Sequence, residues 1–103
     1  MQYTLLRTDV FERQLSEIVR YIAISSGDAD VALRYLDKIE DAVMKLAEFP
    51  YMGVKPQYNV LQRKGYRVLS VEKHLVFYKV HEHKKRVILY SVLDGRMEYQ
   101  RLL

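Results

Sequence analysis

The sequence predicts an α+β fold in the order β-α-α-β-β-β: an antiparallel sheet packed against an αα-hairpin, with a short C-terminal tail. Three observations predict it. Apolar residues recur at helical spacing through the first half of the chain. Three runs rich in β-branched and aromatic residues fill the second half. Between them stand residues that end each kind of element: Ser25-Ser26-Gly27-Asp28, Pro50 and the polar stretch His81 to Lys85. At 103 residues the chain closes around one core, so residues 1–103 are expected to form one domain.

Tyr3 to Arg7 is moderately apolar and reads as a short strand. Thr8 and Asp9 are both competent helix caps, and Asp9 with Glu12 fits a reciprocal capping box. Phe11, Leu15, Ile18 and Ile22 then recur at +4, +3, +4, which predicts a helix of about four turns. Ala32, Leu36, Ile39, Val43 and Leu46 repeat the pattern, and the second helix is expected to reach Phe49, where Pro50 stops it. Two such helices with a short break make an antiparallel hairpin. Residues 50–64 hold both prolines, show no period and read as a connecting loop. Strands are predicted over Tyr66–Val71, His74–Val80 and Arg86–Leu93. The last two are almost continuously apolar, as in central strands buried on both faces. The hairpin covers one face, and the tail or a partner must cover the other.

The composition excludes several classes. No cysteine means no disulfide, thiol nucleophile or thiolate metal site, and a reducing cytoplasm is the expected location. No apolar run approaches the ~20 residues of a membrane span, and the N-terminus shows no secretory pattern. The net charge of +4 is unevenly divided: residues 1–54 sum to −3 and residues 55–103 to +7. A basic half of this kind attracts polyanions or an acidic protein over roughly 8–10 Å.

His81 and His83 supply two imidazoles, with Glu82 and His74 near in sequence, but a metal needs three or four ligands in fixed geometry, and Lys84, Lys85 and Arg86 repel a dication. No metal or other cofactor is expected. The basic half has only four acids, so a carboxylate pair is not indicated, and neither Ser70 nor Ser91 sits on a glycine-flanked elbow. Metal-independent phosphodiester chemistry fits the residue types better. Arg67, Arg96 and Arg101 can stabilise charge on phosphoryl oxygens, while Tyr99, His74 or Glu98 can move a proton. Tyr66 is a candidate for stacking an exposed base. The candidate catalytic residues are therefore Arg67, Arg96 and Tyr99.

The element order, the segment Gly65-Tyr66-Arg67-Val68-Leu69, the strand His74-Leu75-Val76-Phe77-Tyr78-Lys79-Val80 and the ending Val92-Leu93-Asp94-Gly95-Arg96 resemble the RelE/ParE superfamily, toxins of type II toxin–antitoxin pairs. The resemblance spans essentially the whole chain. It implies growth inhibition by one of two activities. RelE-like members are ribosome-dependent endonucleases that cut mRNA with strand-borne basic residues, a C-terminal arginine and a tyrosine or histidine. ParE-like members poison DNA gyrase. Arg67 matches a basic position on the second strand, Arg96 the arginine after the last strand, and Tyr99 lies near the C-terminal aromatic. Leu69 and Leu75 stand where nuclease members carry cations. The expected function is a RelE-like toxin acting by mRNA cleavage. The alternatives are a ParE-like gyrase inhibitor and a non-toxic binding module. The resemblance also implies a cognate antitoxin as partner, with the ribosome and mRNA or DNA gyrase as target.

Overall fold

The computed structural model describes residues 2–97, 99 and 103. Its elements are β1 (Thr4–Arg7), α1 (Asp9–Ser26), α2 (Ala29–Met44), a 3-10 turn (Lys45–Ala47), α3 (Asn59–Arg63), β2 (Arg67–Val71), β3 (His74–His81) and β4 (Arg86–Asp94). The sheet order is β1-β4-β3-β2. β2, β3 and β4 are antiparallel, as tight turns at 72–73 and 82–85 require, whereas β1 lies parallel to β4. No hairpin turn joins β1 to β4, so nothing local to either strand sets their relative direction; the crossover through both helices does.

The cap of α1 is Thr8. Its hydroxyl accepts from the Phe11 N–H at 3.0 Å and donates to the Tyr90 carbonyl at 3.0 Å, tying the helix start to β4. The Asp9–Glu12 capping box does not form, because Asp9 is already helical and Glu12 turns to the Arg7 guanidinium at 2.6 Å. Thr8→Ala is expected to lower stability by about 1 kcal/mol, read as a fall of several degrees in Tm. Gly27 ends α1 in the left-handed region (φ 70°), where its N–H reaches Ala23 O at 3.0 Å. A side chain is strained there, which is why glycine holds the bend. Asp28 then caps α2 by accepting from Asp30 N–H at 2.9 Å.

Both apolar stripes turn inward. Phe11, Leu15, Ile39, Val43 and Leu46 pack with Leu69, Val71, Val76, Tyr78, Val87, Leu89 and Val92 in the core beneath the hairpin. The second helix stops five residues before the expected end at Phe49: regular α geometry ends at Met44, and the 3-10 turn carries Leu46, the last residue of the stripe, into the core. The opposite sheet face holds a second core of Leu61, Tyr66, Val68, Phe77, Leu93 and Tyr99, with Tyr58 and Leu103 against it. The tail does cover that face, helped by an element the sequence does not announce. Residues 59–63, expected as loop, form α3, a single helical turn fastened by one buried side chain, Leu61. So short a segment shows no period, and burial of Leu61 rather than propensity holds it. Among the described residues no helix is long and apolar enough to cross a membrane.

Candidate functional site

Arg67 opens β2 opposite Tyr78 of β3. Strand alternation puts it on the hairpin side with Leu69 and Val71. Its Nη2 donates to the carbonyls of Tyr51 (2.9 Å) and Gly53 (2.6 Å), and its guanidinium lies over the Tyr51 ring, 5.2 Å from the centroid. Tyr78 grips the same loop: its hydroxyl donates to Pro50 O at 2.8 Å and accepts from Gly53 N–H at 3.1 Å. Val54 adds an antiparallel bridge to Val68. Arg67 and Tyr78 together therefore strap residues 50–54 to the sheet. The Arg67 Nε–H is buried without an acceptor.

Arg96 lies at the other end of the sheet, just past β4, where Asp94 pairs with His74 and His74 follows the β2–β3 turn. The length of β2, on the order of 13 Å along the strand, separates that end from Arg67. The Arg96 side chain is 82% exposed and folds back onto Asp94, with Nε–Oδ1 3.0 Å and Nη2–Oδ2 2.9 Å. These bonds, then the Arg96 N–H, hold the Asp94 carboxyl well below the usual carboxylate range, and Asp94 raises the guanidinium in return. Both groups stay charged at any ordinary pH.

Tyr99 is buried in the second core. Its ring lies 4.8 Å from Phe77 and edge-on to Tyr58 at 5.3 Å. Burial pushes its phenol upward, so it stays protonated at neutral pH and is a poor base. Tyr66 is likewise buried, edge-on to Phe77 and Tyr90, with Lys79 Nζ 4.5 Å above its ring. Neither face of that ring is free to stack a base. Glu98 and Arg101 lie outside the described residues. The three predicted residues thus occupy three places: a loop strap, an exposed sheet end and a buried face.

His74 joins Arg96 instead. Both line a cleft of about 580 Å³ between α1 and the end of β3 and β4, with Ile18, Tyr21, Lys73 and Met97 on its walls. The imidazole is buried, and its Nδ1 meets the Tyr35 hydroxyl of α2 at 2.6 Å. Burial lowers the His74 pKa, and Asp94 only partly opposes this. Burial also raises the Tyr35 phenol, so a neutral hydroxyl faces the ring. Because the folded pKa lies below the unfolded one, the unfolded chain binds more protons between the two. Stability should therefore be full above about 6.5, decline as pH falls below it, and level off once the folded imidazole is protonated. Thermal melts from pH 7.5 to 5 are expected to show that decline, and His74→Gln to remove it. A wild-type profile flat over this range would contradict the assignment.

The His81-Glu82-His83 segment lies at the end of β3 and in the turn to β4. Among the described residues, no group of three or more histidines and carboxylates could hold a metal. Glu82 instead accepts from the hydroxyls of Tyr3 (2.6 Å) and Tyr51 and from Lys85 Nζ (3.0 Å), bringing the N-terminal strand, the strapped loop and the β3–β4 turn together. Those bonds hold its carboxyl at about 2. Sequence spacing gives no sign of the Glu82 contacts with Tyr3 and Tyr51 or of the His74–Tyr35 contact, whose partners lie dozens of residues apart.

Comparison with known proteins agrees with this architecture. A solved toxin–antitoxin chain, from the chromosomal ParDE system of P. aeruginosa, superposes with a TM-score of 0.74 at 19% identity, covering 90% of this chain and 96% of the other. A chain of the RelBE2 toxin–antitoxin complex from Mycobacterium tuberculosis gives 0.63 at 18% identity, covering 91% and 99%. At these identities the likeness is one of fold. No curated protein matches the chain. The family model of the ParE toxin of the type II toxin-antitoxin system, parDE, matches residues 5–99, nearly the whole sequence. With its hairpin-covered sheet and that match over both halves, the chain belongs to the ParE toxin family of type II toxin–antitoxin systems.

Proposed function

We propose that residues 1–103 are one toxin domain that arrests growth as a ParE-like inhibitor of DNA gyrase, held inactive by a cognate antitoxin in the cytoplasm. The observation that carries this reading over mRNA cleavage is the dispersal of Arg67, Arg96 and Tyr99. In-line attack on a phosphodiester needs cations and a proton-transfer group within a few ångströms of one phosphate. Here Arg67 holds the carbonyls of the 50–54 loop through Nη2, Arg96 pairs with Asp94 at the opposite end of the sheet, and Tyr99 is packed in the second core. Leu69 and Leu75, at positions where a nuclease carries cations, support the same choice. In this reading Arg67 positions the 50–54 loop, Tyr99 seats the tail, and Arg96 offers an exposed charge to the target.

Induction of the chain alone should arrest growth, and co-expression of the small protein encoded beside it should relieve the arrest. Purified toxin should inhibit gyrase supercoiling and accumulate gyrase–DNA cleavage complexes, with mRNA ends unchanged after brief induction. Arg96→Ala should raise the inhibitory concentration about five- to tenfold, the loss of one exposed charged contact of about 1 kcal/mol, without changing Tm. Codon-positioned mRNA cuts lost in Arg96→Ala would establish the nuclease instead. Harmless induction would leave a binding module.

A further inference from the structure

The strapped loop borders a second cleft, of about 440 Å³, into which three cations of the basic half converge: Lys55, Arg63 and Arg67. Among the described residues no acidic side chain lines it. Among the described residues neither Lys55 nor Arg63 has an ion-pair partner, and Arg67 engages protein acceptors only through Nη2. Beside the cleft the same loop exposes apolar side chains: Phe49 is 57%, Met52 42% and Val54 63% exposed. Their backbone is fixed by Arg67, Tyr78 and the Val54–Val68 bridge, so little ordering remains to be done on binding.

We infer that this cleft and loop form a docking surface for an acidic segment of the antitoxin, one that sets a carboxylate side chain among Lys55, Arg63 and Arg67 and apolar side chains on Phe49, Met52 and Val54. The inference rests on the toxin–antitoxin reading above. Charge complementarity calls for an anion. The rest of the surface calls for a peptide rather than a nucleic acid. Of the two aromatic rings of the cleft, Tyr66 is buried, and Tyr51, half exposed, has one face taken by Arg67 and its hydroxyl held by Glu82. The exposed aliphatic and aromatic side chains match peptide side chains, not sugars and phosphates. On the far side Tyr51 bonds to the Glu82 carboxylate, whose charge repels a phosphate backbone there.

The test titrates the full-length small protein encoded beside this chain into the toxin, by calorimetry at low and physiological salt. Lys55→Glu/Arg63→Glu is expected to weaken binding at least about tenfold and flatten its salt dependence. Lys55→Gln/Arg63→Gln should fall between the variant and the wild type, separating lost attraction from added repulsion. Both positions are exposed, so Tm should be unchanged. Equal affinity of wild type and both variants would overturn the docking surface while leaving the toxin reading intact. Failure of the wild type to bind would remove the toxin reading and the inference with it. A short fluorescein-labelled DNA strand serves as the competing probe. Tight binding of that strand, lost in the Glu variant, would reassign the cleft to nucleic acid.

Discussion

Gly53→Ala is expected to destabilise the protein by roughly 2–3 kcal/mol or more, a drop of about 10–20 °C in Tm for a domain of this size. A β-carbon at Gly53 would stand 2.5 Å from the Tyr78 hydroxyl oxygen and 2.5 Å from the Val68 carbonyl oxygen. The second is backbone of the sheet, itself bonded to Val54 N–H, and cannot move aside alone. Either the loop lifts, breaking its bonds to Arg67 and Tyr78, or β2 shifts. Urea unfolding measures the cost. Tyr78→Phe provides the comparison: it leaves Pro50 O and Gly53 N–H without their buried partner and should cost about 1–3 kcal/mol. Because the Val68 clash survives in the double variant, Tyr78→Phe should rescue Gly53→Ala only in part. Full rescue would place the strain on the hydroxyl alone. The loop carries Phe49, Met52 and Val54, so antitoxin affinity should fall with stability in Gly53→Ala.

Phe77→Ala is expected to cost about 3–5 kcal/mol. The ring is wholly buried in the second core, edge-on to Tyr66 at 6.4 Å and tilted against Tyr99 at 4.8 Å. Its loss leaves a cavity between rigid strands that cannot collapse, and it removes the seat of Tyr99. Against a typical domain stability of 5–15 kcal/mol this approaches global unfolding. Tyr99→Ala should cost less, because Phe77 is wholly buried on a central strand whereas Tyr99 keeps a little exposure. Proteolysis near the C-terminus should rise in both variants, whereas the melting temperature should fall sharply only in Phe77→Ala. A Tm unchanged in Phe77→Ala would mean that the second core adds little to stability.

The helical hairpin was the most legible part of the chain. Phe11, Leu15, Ile39 and Val43 recur at a spacing only a helix turns to one side, and Gly27 acts locally through backbone geometry. The three C-terminal strands were legible for the same reason, their ends falling within one or two residues of expectation. Smaller features were not. The choice of Thr8 over Asp9 as cap depended on the Tyr90 carbonyl, which β4 brings from 82 residues away. The turn at 59–63 depended on a pocket for Leu61 that exists only once β2 and β3 pair.

The candidate site divides in the same way. Residue type singled out Arg67, Arg96 and Tyr99 as groups able to handle a phosphate, and it marked the second half of the chain as basic. Type does not fix direction. Strand alternation turns Arg67 toward the hairpin side, where carbonyls of the 50–54 loop take its donors, and the twofold bond to Asp94 claims Arg96. The sequence by itself determined what repeats over short intervals: helix stripes, strand runs, breaks, the split of charge and the family signature. Only the tertiary structure decided the parallel placement of β1, the straps on Gly53 and the meeting of Lys55, Arg63 and Arg67 at one cleft. The physical reason is that periodicity is written within a few residues of each position, whereas a hydrogen-bond partner or a converging charge is set by chain segments that meet only after the sheet has closed.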